Sequence, residues 1–328
     1  MNQLLSHDLY CPFPSQTNKY VDVLEEYSLE WVLRFNLLTN ESTYKRFCKS
    51  KFFFLAASAY PDSNFEELKI AHDWLSWVFI WDDQCDLSEL KKKPEVLKNF
   101  HQRYLEILNG AELTSQDTLF SHALIDLRQR TLQRASVKWF KYFVNYLKDY
   151  FCGCVQEANN RTKGIVPDVD TYIKIRRSSV GVYAVLALAE FCNQFMIPDV
   201  LRNHYFVKKL ELITTDIISW SNDIFSASRE IASGDVHNLV FVLHYHNQIS
   251  LEEATKQVAE IHDKEVYSLL SLESFIPCFG KELDVDIAKY ISGMHSWIRG
   301  NLDWYSHSFR YHNSERLELT EFNNKITL

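Results

Sequence analysis

The chain has 328 residues, of which 46% are hydrophobic and 24% charged, a balance typical of globular proteins. Its 8 glycines and 7 prolines are too few for a turn-rich β fold or for a Rossmann domain with glycine loops. The net charge of −8 offers no basic footprint for a nucleic acid. No run of about 18 apolar residues predicts a membrane span.

The cysteines and the first residues bear on the compartment. The opening segment, MNQLLSHDLYCPFPSQ, lacks the basic start and apolar core of a signal peptide. The 7 cysteines are scattered without the spacing of a zinc site, and Cys152 and Cys154 are separated by one residue rather than two. We therefore expect reduced thiols in a cytoplasmic protein.

In chain order, the first segments predict an arm followed by helices. Residues 1–18 predict an irregular arm, because Pro12 and Pro14 favour extended backbone. Helical periodicity follows, and residues 51–60 are apolar up to a proline. Residues 65–87 form the most apolar long segment, which predicts a buried helix.

The rest of the chain continues the helical pattern. Because long stretches contain no proline, we predict long helices there, at residues 95–109, 117–131, 135–160, 168–195, 198–232, 236–246, 251–273 and 283–307. Strand alternation is rare. Aromatic residues make up 14% of the chain and imply a large aromatic-lined interior. We expect one all-α domain over residues 1–328, with about ten helices or more.

An acidic cluster ends the apolar segment 65–87. The run WLSWVFIW leads straight into Asp82, Asp83 and Asp86. On a helix Asp82 and Asp86 share a face, whereas Asp83 lies about 100° round. Carboxylates beside so much aromatic surface need a compensating cation, and oxygen ligands without histidine or cysteine suit Mg²⁺. The alternative is a solvated helix end that happens to be acidic.

A second polar stripe interrupts another apolar helix. Asn222, Ser226 and Glu230 are spaced i, i+4, i+8 and lie along one side of a helix. An amide oxygen, a hydroxyl and a carboxylate are again a Mg²⁺-like ligand set, and Arg229 beside them is placed to reach a phosphate. A polar patch inside a long helix is the alternative. His237, which follows in GDVHNLVFVL, is interpreted as structural.

Together the two motifs carry a family resemblance. This sequence resembles the class I terpene synthases, in particular the microbial single-domain enzymes. DDQCD at residues 82–86 is similar to their aspartate-rich motif, and NDIFSASRE at 222–230 is similar to their second metal motif, 140 residues away. NLDW at 301–304 with RY at 310–311 resembles the C-terminal signature of the family.

Two further segments support the resemblance, which covers nearly the whole chain. YIKIRR at residues 172–177 is similar to the stretch with the arginine that senses diphosphate, 46 residues before the second motif, which points to Arg176. SGDVHNLV resembles the run after that motif. The resemblance implies a single-domain α-bundle around a central cavity, a lid or tail over residues 305–328, and commonly a homodimer.

The resemblance also implies the chemistry. It implies a prenyl diphosphate substrate, three Mg²⁺ ions, and ionisation of a C–O bond followed by cyclisation. The implied metal ligands are Asp82, Asp86, Asn222, Ser226 and Glu230. The implied contacts to diphosphate are Arg176, Asn222, Arg229, Arg310 and Tyr311.

The remaining implied roles concern closure and ionisation. Asp83 is expected to pair with Arg176 on closure. Gly181 interrupts an apolar helix, so we expect a break there that turns a backbone carbonyl toward the cavity. The resemblance implies that this carbonyl belongs to Val180 and that Ser179 is the linker. The catalytic set is therefore Asp82, Asp83, Arg176, Val180, Arg310 and Tyr311.

Apolar and aromatic walls are needed to shield a carbocation from water. The expected wall residues are Phe53, Phe54, Trp77, Phe79, Tyr183 and Trp304. Phe79 is about one turn before the first motif and so is expected below the metal site.

Several alternatives follow from the same residues. The resemblance implies a farnesyl chain of fifteen carbons as the substrate, so we expect a sesquiterpene synthase. Small residues near the expected pocket keep a diterpene synthase with a geranylgeranyl substrate as the alternative: Ala56, Ala57, Ala184 and Ala187. A second DDxxD, typical of chain-elongating enzymes, is absent. A non-catalytic isoprenoid-binding helical protein is the distant alternative.

Overall fold

A computed structural model describes residues 9–86 and 88–311. These residues form fifteen α-helices and two 3₁₀ turns and contain no strand, which confirms the all-α prediction. The helices are α1 (Val21–Tyr27), α2 (Glu30–Arg34), α3 (Glu41–Ser50), α4 (Phe52–Ala59), α5 (Phe65–Asp86), α6 (Pro94–Leu108), α7 (Leu119–Leu132), α8 (Val137–Lys163), α9 (Val169–Ser179), α10 (Val182–Cys192), α11 (Asp199–Arg202), α12 (Tyr205–Ala232), α13 (Leu239–Asn247), α14 (Leu251–Glu273) and α15 (Lys281–His307). The 3₁₀ turns are Glu89–Lys92 and Phe309–Tyr311.

Fifteen helices agree with the expectation of about ten or more, and local breaks that divide several predicted segments account for part of the number. The segment predicted at 168–195 is two helices, α9 and α10, which meet at Gly181. The segment predicted at 198–232 is likewise divided, because the short α11 ends two residues before α12 begins. Helix α3 was not predicted at all, since only two of its residues are buried.

The described part of the N-terminal arm, residues 9–20, contains no helix, as predicted. Asn18 is buried and fixes the end of this arm, since its Nδ2 donates to the carbonyl oxygens of Tyr60 and Ser63 at 2.9 and 2.8 Å. Its Oδ1 accepts from the Tyr20 backbone N–H. The arm is thus held against the loop that follows α4.

Two long helices lie deep in the bundle and present the polar motifs. Helix α5 buries side chains on all of its faces, as an apolar helix in the middle of a protein does. Helix α12 is 28 residues long and buries 17 of them, and it packs against α14, α15, α13, α9 and α10. The two motifs are therefore carried by elements that neighbouring helices hold firmly.

Close packing of α8 on α9 depends on one glycine. A Cβ atom on Gly153 would lie 2.5 Å from the Ser179 backbone nitrogen, a distance that no side chain tolerates. The missing side chain therefore lets the middle of α8 approach the end of α9. This contact places the break between α9 and α10 against the cavity described below.

At the C-terminus, α15 runs to His307, so residues 305–307 of the expected lid belong to this helix. The 3₁₀ turn that follows packs against α3, α12 and α15. Residues 312–328 of the expected lid lie outside the described residues. All 7 cysteines are free thiols. Within the described residues, none of the helices has both the length and the apolar run needed to cross a bilayer.

Candidate active site

The first motif occupies the last turn of α5. Asp82 and Asp86 face the central cavity, as their shared helix face predicts, whereas Asp83 lies beside it. The side chains of Asp82 and Asp86 are 37% and 32% exposed, and that of Asp83 is 18% exposed. The carboxylates facing the cavity are thus the ones open to a ligand from outside.

Arginines from three distant elements neutralise these carboxylates. Arg310 donates to Asp83 at 2.8 Å and to Asp82 at 3.5 Å. Arg46 of α3 donates to the other oxygen of Asp83 at 2.8 Å. Desolvation alone would raise the pKa of Asp83, but the two guanidinium groups outweigh it and lower that pKa to about 2. Asp83 is therefore an anion held by two arginines.

Asp86 has a weaker partner. The Arg161 guanidinium of α8 lies 3.9 Å from its Oδ1. Desolvation in the cavity and the negative charge of Asp82 raise the pKa of Asp86 well above its usual value. A divalent cation between Asp82 and Asp86 would remove this repulsion, so the donor chemistry of this helix end fits a metal ion.

The second motif lies inside α12. Asn222 and Glu230 line the cavity, and Ser226 is fully buried between them. Asn222 accepts from Arg176 at 2.6 Å through Oδ1. Its Nδ2 donates to the Tyr305 and Tyr311 hydroxyls at 3.1 and 3.2 Å. The motif is therefore linked to the α9 arginine and to the C-terminal tyrosines.

Asp223, next to Asn222, is a site residue to which sequence reasoning assigned no role. It is fully buried, and Arg176 lies 2.9 Å from its Oδ1. The Tyr172 hydroxyl and the Leu239 backbone N–H donate to its Oδ2. Burial raises the pKa of Asp223 to about 6 in spite of Arg176. Asp223 thus holds Arg176 at the cavity edge; the motif pattern contains it, and the signal was overlooked.

The expected break near Gly181 is present. Helix α9 ends at Ser179, Gly181 has φ +73°, and α10 begins at Val182. Only glycine adopts this left-handed backbone without strain. The Ser179 hydroxyl donates to Glu157, a buried carboxylate of α8. Val180, between the two helices, lines the cavity.

The cavity encloses about 1230 Å³ when the solvent in its open mouth is included. Polar groups from both motifs lie along one part of its wall, together with Arg176, Arg229, Arg310 and Tyr311. The rest of the wall is mostly apolar and aromatic, and includes Phe79, Trp304, Trp74, Leu75, Val78, Phe143, Leu147, Tyr150, Val185, Leu188, Ile218 and Trp297. One cavity therefore has a polar part, which contains the two motifs and the arginines, and an apolar part.

Four expected wall residues lie elsewhere, and the expectation for them is wrong. Trp77 is two residues from Phe79, so it points to the opposite face of α5, where its indole N–H donates to the Phe120 carbonyl at 3.1 Å. Tyr183 stacks on Tyr146 outside the wall.

Phe53 and Phe54 also lie outside the cavity wall. Phe53 is buried in the core, and Phe54 stacks on His307. The α4 ring that supports the wall is Phe52, which stacks on Phe79 with 4.6 Å between ring centroids. Of the small residues expected near the pocket, Ala184 lines it, whereas Ala56, Ala57 and Ala187 do not.

The wall also contains a charged group that sequence reasoning missed. Arg161 donates through Nε to Asp235 at 2.9 Å and through Nη2 to Glu157 at 3.1 Å. His237 is buried beside them, and neither of its ring nitrogens has a hydrogen-bond partner among the described residues. Burial lowers the pKa of His237, so its ring is neutral. The spacing of these residues along the chain carries no signal that would have joined them.

The donor set decides whether a metal ion fits. Within residues 9–86 and 88–311, no three His, Cys, Asp or Glu side chains come together as a ready metal site. The two motifs instead bring carboxylate and amide oxygens to the cavity from two helices, with the Ser226 hydroxyl buried between Asn222 and Glu230, which suits a hard cation that shares ligands with a bound phosphate. The residues therefore fit a divalent ion bound together with substrate.

An all-helical bundle whose cavity joins two oxygen-rich motifs to an aromatic wall defines a class I terpene synthase. The family model described as terpene synthase family 2, C-terminal metal binding, matches residues 73–267. This chain belongs to the terpene synthase family, and its metal-binding description implies dependence on a divalent metal.

Similar proteins agree with this assignment. The chain is 84% identical to a germacrene A synthase from Nostoc punctiforme over 98% of this chain and 100% of that one. It is 35% identical to a farnesyl diphosphate-cyclizing (+)-T-muurolol synthase from Roseiflexus castenholzii over 95% of each. The crystal structure of germacradien-4-ol synthase from Streptomyces citricolor superposes with a TM-score of 0.82 at 26% identity, covering 92% of this chain and 99% of that one.

Proposed function

We propose that this enzyme ionises farnesyl diphosphate, cyclises the fifteen-carbon cation and releases diphosphate, with germacrene A as the product. The observation that carries the proposal is the single cavity into which both oxygen-rich motifs and an aromatic wall project. The 84% identity to a germacrene A synthase supports the choice of substrate and product.

In this proposal the metal ligands are Asp82, Asp86, Asn222, Ser226 and Glu230, and the ions are three Mg²⁺. When bound, these ions supply positive charge that stabilises the leaving diphosphate. Both motif faces carry the oxygen donors that Mg²⁺ prefers. Asp82 and Asp86 are partly exposed in the cavity, so an ion has access to them without rearrangement of α5.

The diphosphate contacts in this proposal are Arg176, Asn222, Arg229, Arg310 and Tyr311. All five line the cavity. Arg310 is buried, with a side chain only 1% exposed, and lies over the ring of Phe79 at 5.2 Å. Arg229 lies 3.5 Å from Glu230 and over the ring of Tyr311. Guanidinium forks match phosphate oxygens, so these groups bind and orient the leaving group.

Closure and ionisation involve three further roles. Asp83 now pairs with Arg46 and Arg310, and its pairing with Arg176 on closure stays a prediction. Arg176, held by Asp223, is the sensing arginine in this proposal. Val180 directs its carbonyl at the reacting carbon, and the break at Gly181 is the observation that supports this role.

After ionisation the wall excludes water. Phe79 and Trp304 lie next to the polar part of the cavity, with 5.5 Å between their ring centroids. Ring faces stabilise a nearby cation by about 0.5 to 2 kcal/mol each. Trp304 is fixed by its indole N–H, which donates to the Ser50 carbonyl at 2.7 Å. A rigid aromatic wall limits which conformers of the cation close a ring.

The test is a product assay by gas chromatography and mass spectrometry. The purified chain is incubated with Mg²⁺ and, in parallel, with geranyl, farnesyl or geranylgeranyl diphosphate. Germacrene A from farnesyl diphosphate is the expected result, and another sesquiterpene would overturn only the product. Product from geranylgeranyl diphosphate alone would replace the substrate. No product, with inorganic diphosphate still bound, would favour a non-catalytic isoprenoid-binding protein.

A further inference from the structure

Asn238 lies just outside the second motif and contacts it at three points. It is fully buried and is the first residue before α13. Its Nδ2 donates to the Asp223 carbonyl at 2.8 Å and to Glu230 Oε2 at 2.9 Å, with Ser226 Oγ as a longer contact at 3.3 Å. One amide group therefore touches two of the three proposed ligands of this motif.

The orientation of this amide is determined by its other end. Asn238 Oδ1 accepts from the Val240 backbone N–H at 2.9 Å, and a backbone N–H is only a donor. The amide oxygen must therefore face α13, and the NH₂ group must face α12. The Leu239 backbone N–H donates to Asp223 and ties the start of α13 to α12 as well. The direction of the two N–H donors is thus fixed by the docking of the two helices.

In the described part of the chain, the Ser226 hydroxyl lacks the backbone hydrogen bond that three other hydroxyl residues of α12 make. Thr215, Ser219 and Ser221 all donate to backbone carbonyls of the preceding turn, which is the usual habit of a hydroxyl inside a helix. Within the described residues, the single hydrogen-bond partner of Ser226 is Asn238. The NH₂ group has two hydrogens for three acceptors, so the longer contact to Ser226 Oγ is shared with a shorter bond, and the hydroxyl proton of Ser226 stays free.

The same amide divides the two oxygens of Glu230. Oε2 accepts from Asn238, whereas among the described residues the one charged partner of Oε1 is the Arg229 guanidinium at 3.5 Å. An arginine contact at that distance is displaced more easily than a buried hydrogen bond from an amide group. Oε1 is thus the oxygen left for a cation.

We propose that Asn238 is a positioning residue that orients Ser226 Oγ and Glu230 Oε1 toward the divalent ion of the second motif. The inference rests on the proposed function, since it requires that Ser226 and Glu230 hold an ion. Residues that hold metal ligands in place typically change metal affinity by about 10- to 100-fold when they are replaced.

The test is Asn238→Ser. Serine retains an acceptor suited to the start of α13 but removes both N–H donors. Asn18→Ser is the matched control, because Asn18 is also buried, also accepts from the backbone N–H two residues ahead, and also donates through Nδ2 to two partners, far from the motif. Each protein is titrated with Mn²⁺ in the presence of inorganic diphosphate, and free Mn²⁺ is counted by electron paramagnetic resonance below the unfolding temperature of each.

We expect Asn238→Ser to bind one ion fewer than the wild type at Mn²⁺ concentrations that saturate the wild type, with about 10- to 100-fold weaker affinity at the lost site. Asn18→Ser should keep the wild-type stoichiometry. Turnover of Asn238→Ser should recover at high Mg²⁺, which a general loss of structure would not allow. If Asn238→Ser fails to fold, Asn238→Asp replaces it, since aspartate keeps the acceptor and shape without the donors.

Equal Mn²⁺ binding by Asn238→Ser and Asn18→Ser would overturn the inference and leave the proposed function intact. A folded wild type that binds no Mn²⁺ with diphosphate would instead overturn the proposed metal role, and the inference with it. The two failures are therefore distinguishable in one titration series.

Discussion

The two helices that carry the proposed metal ligands hold them in different ways. The first motif occupies the last turn of α5, where the partial negative charge of a helix C-terminus disfavours carboxylates. The second motif extends from Asn222, well inside α12, to Glu230 in its last turn, and neighbouring helices pack against this helix. The proposed ligands of the first motif therefore lie together at one helix end, whereas those of the second are spread over about two turns of α12.

The partners of the two motifs differ in the same sense. The three aspartates of the first motif are held by arginines from α3, α8 and the C-terminal turn, all remote in sequence. Ser226 and Glu230 of the second motif are held by the neutral amide of Asn238. The first motif thus depends on ion pairs between elements that are distant in sequence, whereas Ser226 and Glu230 also have a buried neutral donor.

The largest effect is expected from Asn222→Ala. Asn222 joins the second motif to Arg176 and to two tyrosines, so its loss removes both a proposed metal ligand and a hydrogen-bond partner of Arg176. We expect turnover to fall about 10³-fold, which is about 4 kcal/mol of transition-state stabilisation. Steady-state assay and circular dichroism check this. Turnover within tenfold of the wild type would contradict the role of the second motif.

The comparable change in the first motif is Asp82→Asn. Asp82→Asn keeps the shape of the side chain and its neighbours on α5, and it removes one charge that faces the cavity. We expect a loss of turnover close to that of Asn222→Ala, with an unchanged helical spectrum. If Asp82→Asn turns over normally with Mg²⁺, the first motif does not hold an ion.

Sequence reasoning located both motifs because their spacing matches a helical repeat, which is a local property. It also located the break at Gly181, since a glycine in an apolar helix is costly. It missed Arg46 because α3 has few buried residues and was not recognised, although Asn40 followed by Thr43 forms a capping pair that marks its start. It missed the contacts of Asn238 because they join residues across a helix junction, where no periodicity operates.

The cavity wall illustrates the same limit. Phe79 was placed by its register with Asp82, one turn away, and it does line the cavity. Trp77 was included although two residues along a helix rotate a side chain by about 200°. The two residues thus provide a paired test of wall against core, on the helix that carries the first motif.

Trp77→Ala should act on stability and Phe79→Ala on product. Trp77 is fully buried against Tyr104, so its truncation leaves a cavity that costs about 3 to 4 kcal/mol of unfolding free energy. Phe79→Ala enlarges the site itself and should change the ratio of products. Urea unfolding and gas chromatography measure the two effects. An unaltered product profile for Phe79→Ala would remove it from the wall.

A smaller effect is expected from His101, which supports α5 from behind. Trp81, next to the first motif, donates its indole N–H to His101 Nε2 at 3.0 Å, which requires a neutral ring. Burial lowers the pKa of His101 to about 3, below the value of about 6.5 expected in the unfolded chain. The stabilisation is therefore complete above about pH 6.5 and is lost as the pH falls toward 3.

Between pH 6.5 and pH 5 this one group should remove about 2 kcal/mol of unfolding free energy. His101→Phe retains the stacking on Phe151 and cannot titrate, so its stability should fall less over that interval. Urea unfolding at a series of pH values measures both slopes. Identical slopes for the two proteins would show that His101 does not couple protons to the support of the first motif.

The smallest effect on turnover is expected from Arg46→Met, which tests how far the first motif depends on the ion pair between Arg46 and Asp83. Asp83 would lose one of two guanidinium partners and keep Arg310, so the carboxylate stays paired. Loss of one partner from a partly buried pair costs about 1 kcal/mol, equivalent to about a fivefold change. Because Arg46 touches Asp83 and not the ligands of α12, we expect that change in the Mg²⁺ dependence of turnover, with Mn²⁺ stoichiometry intact. A loss of turnover as large as that of Asn222→Ala would mean that the first motif depends on one ion pair as strongly as the second depends on a proposed ligand. The contrast between the two helices would then fail.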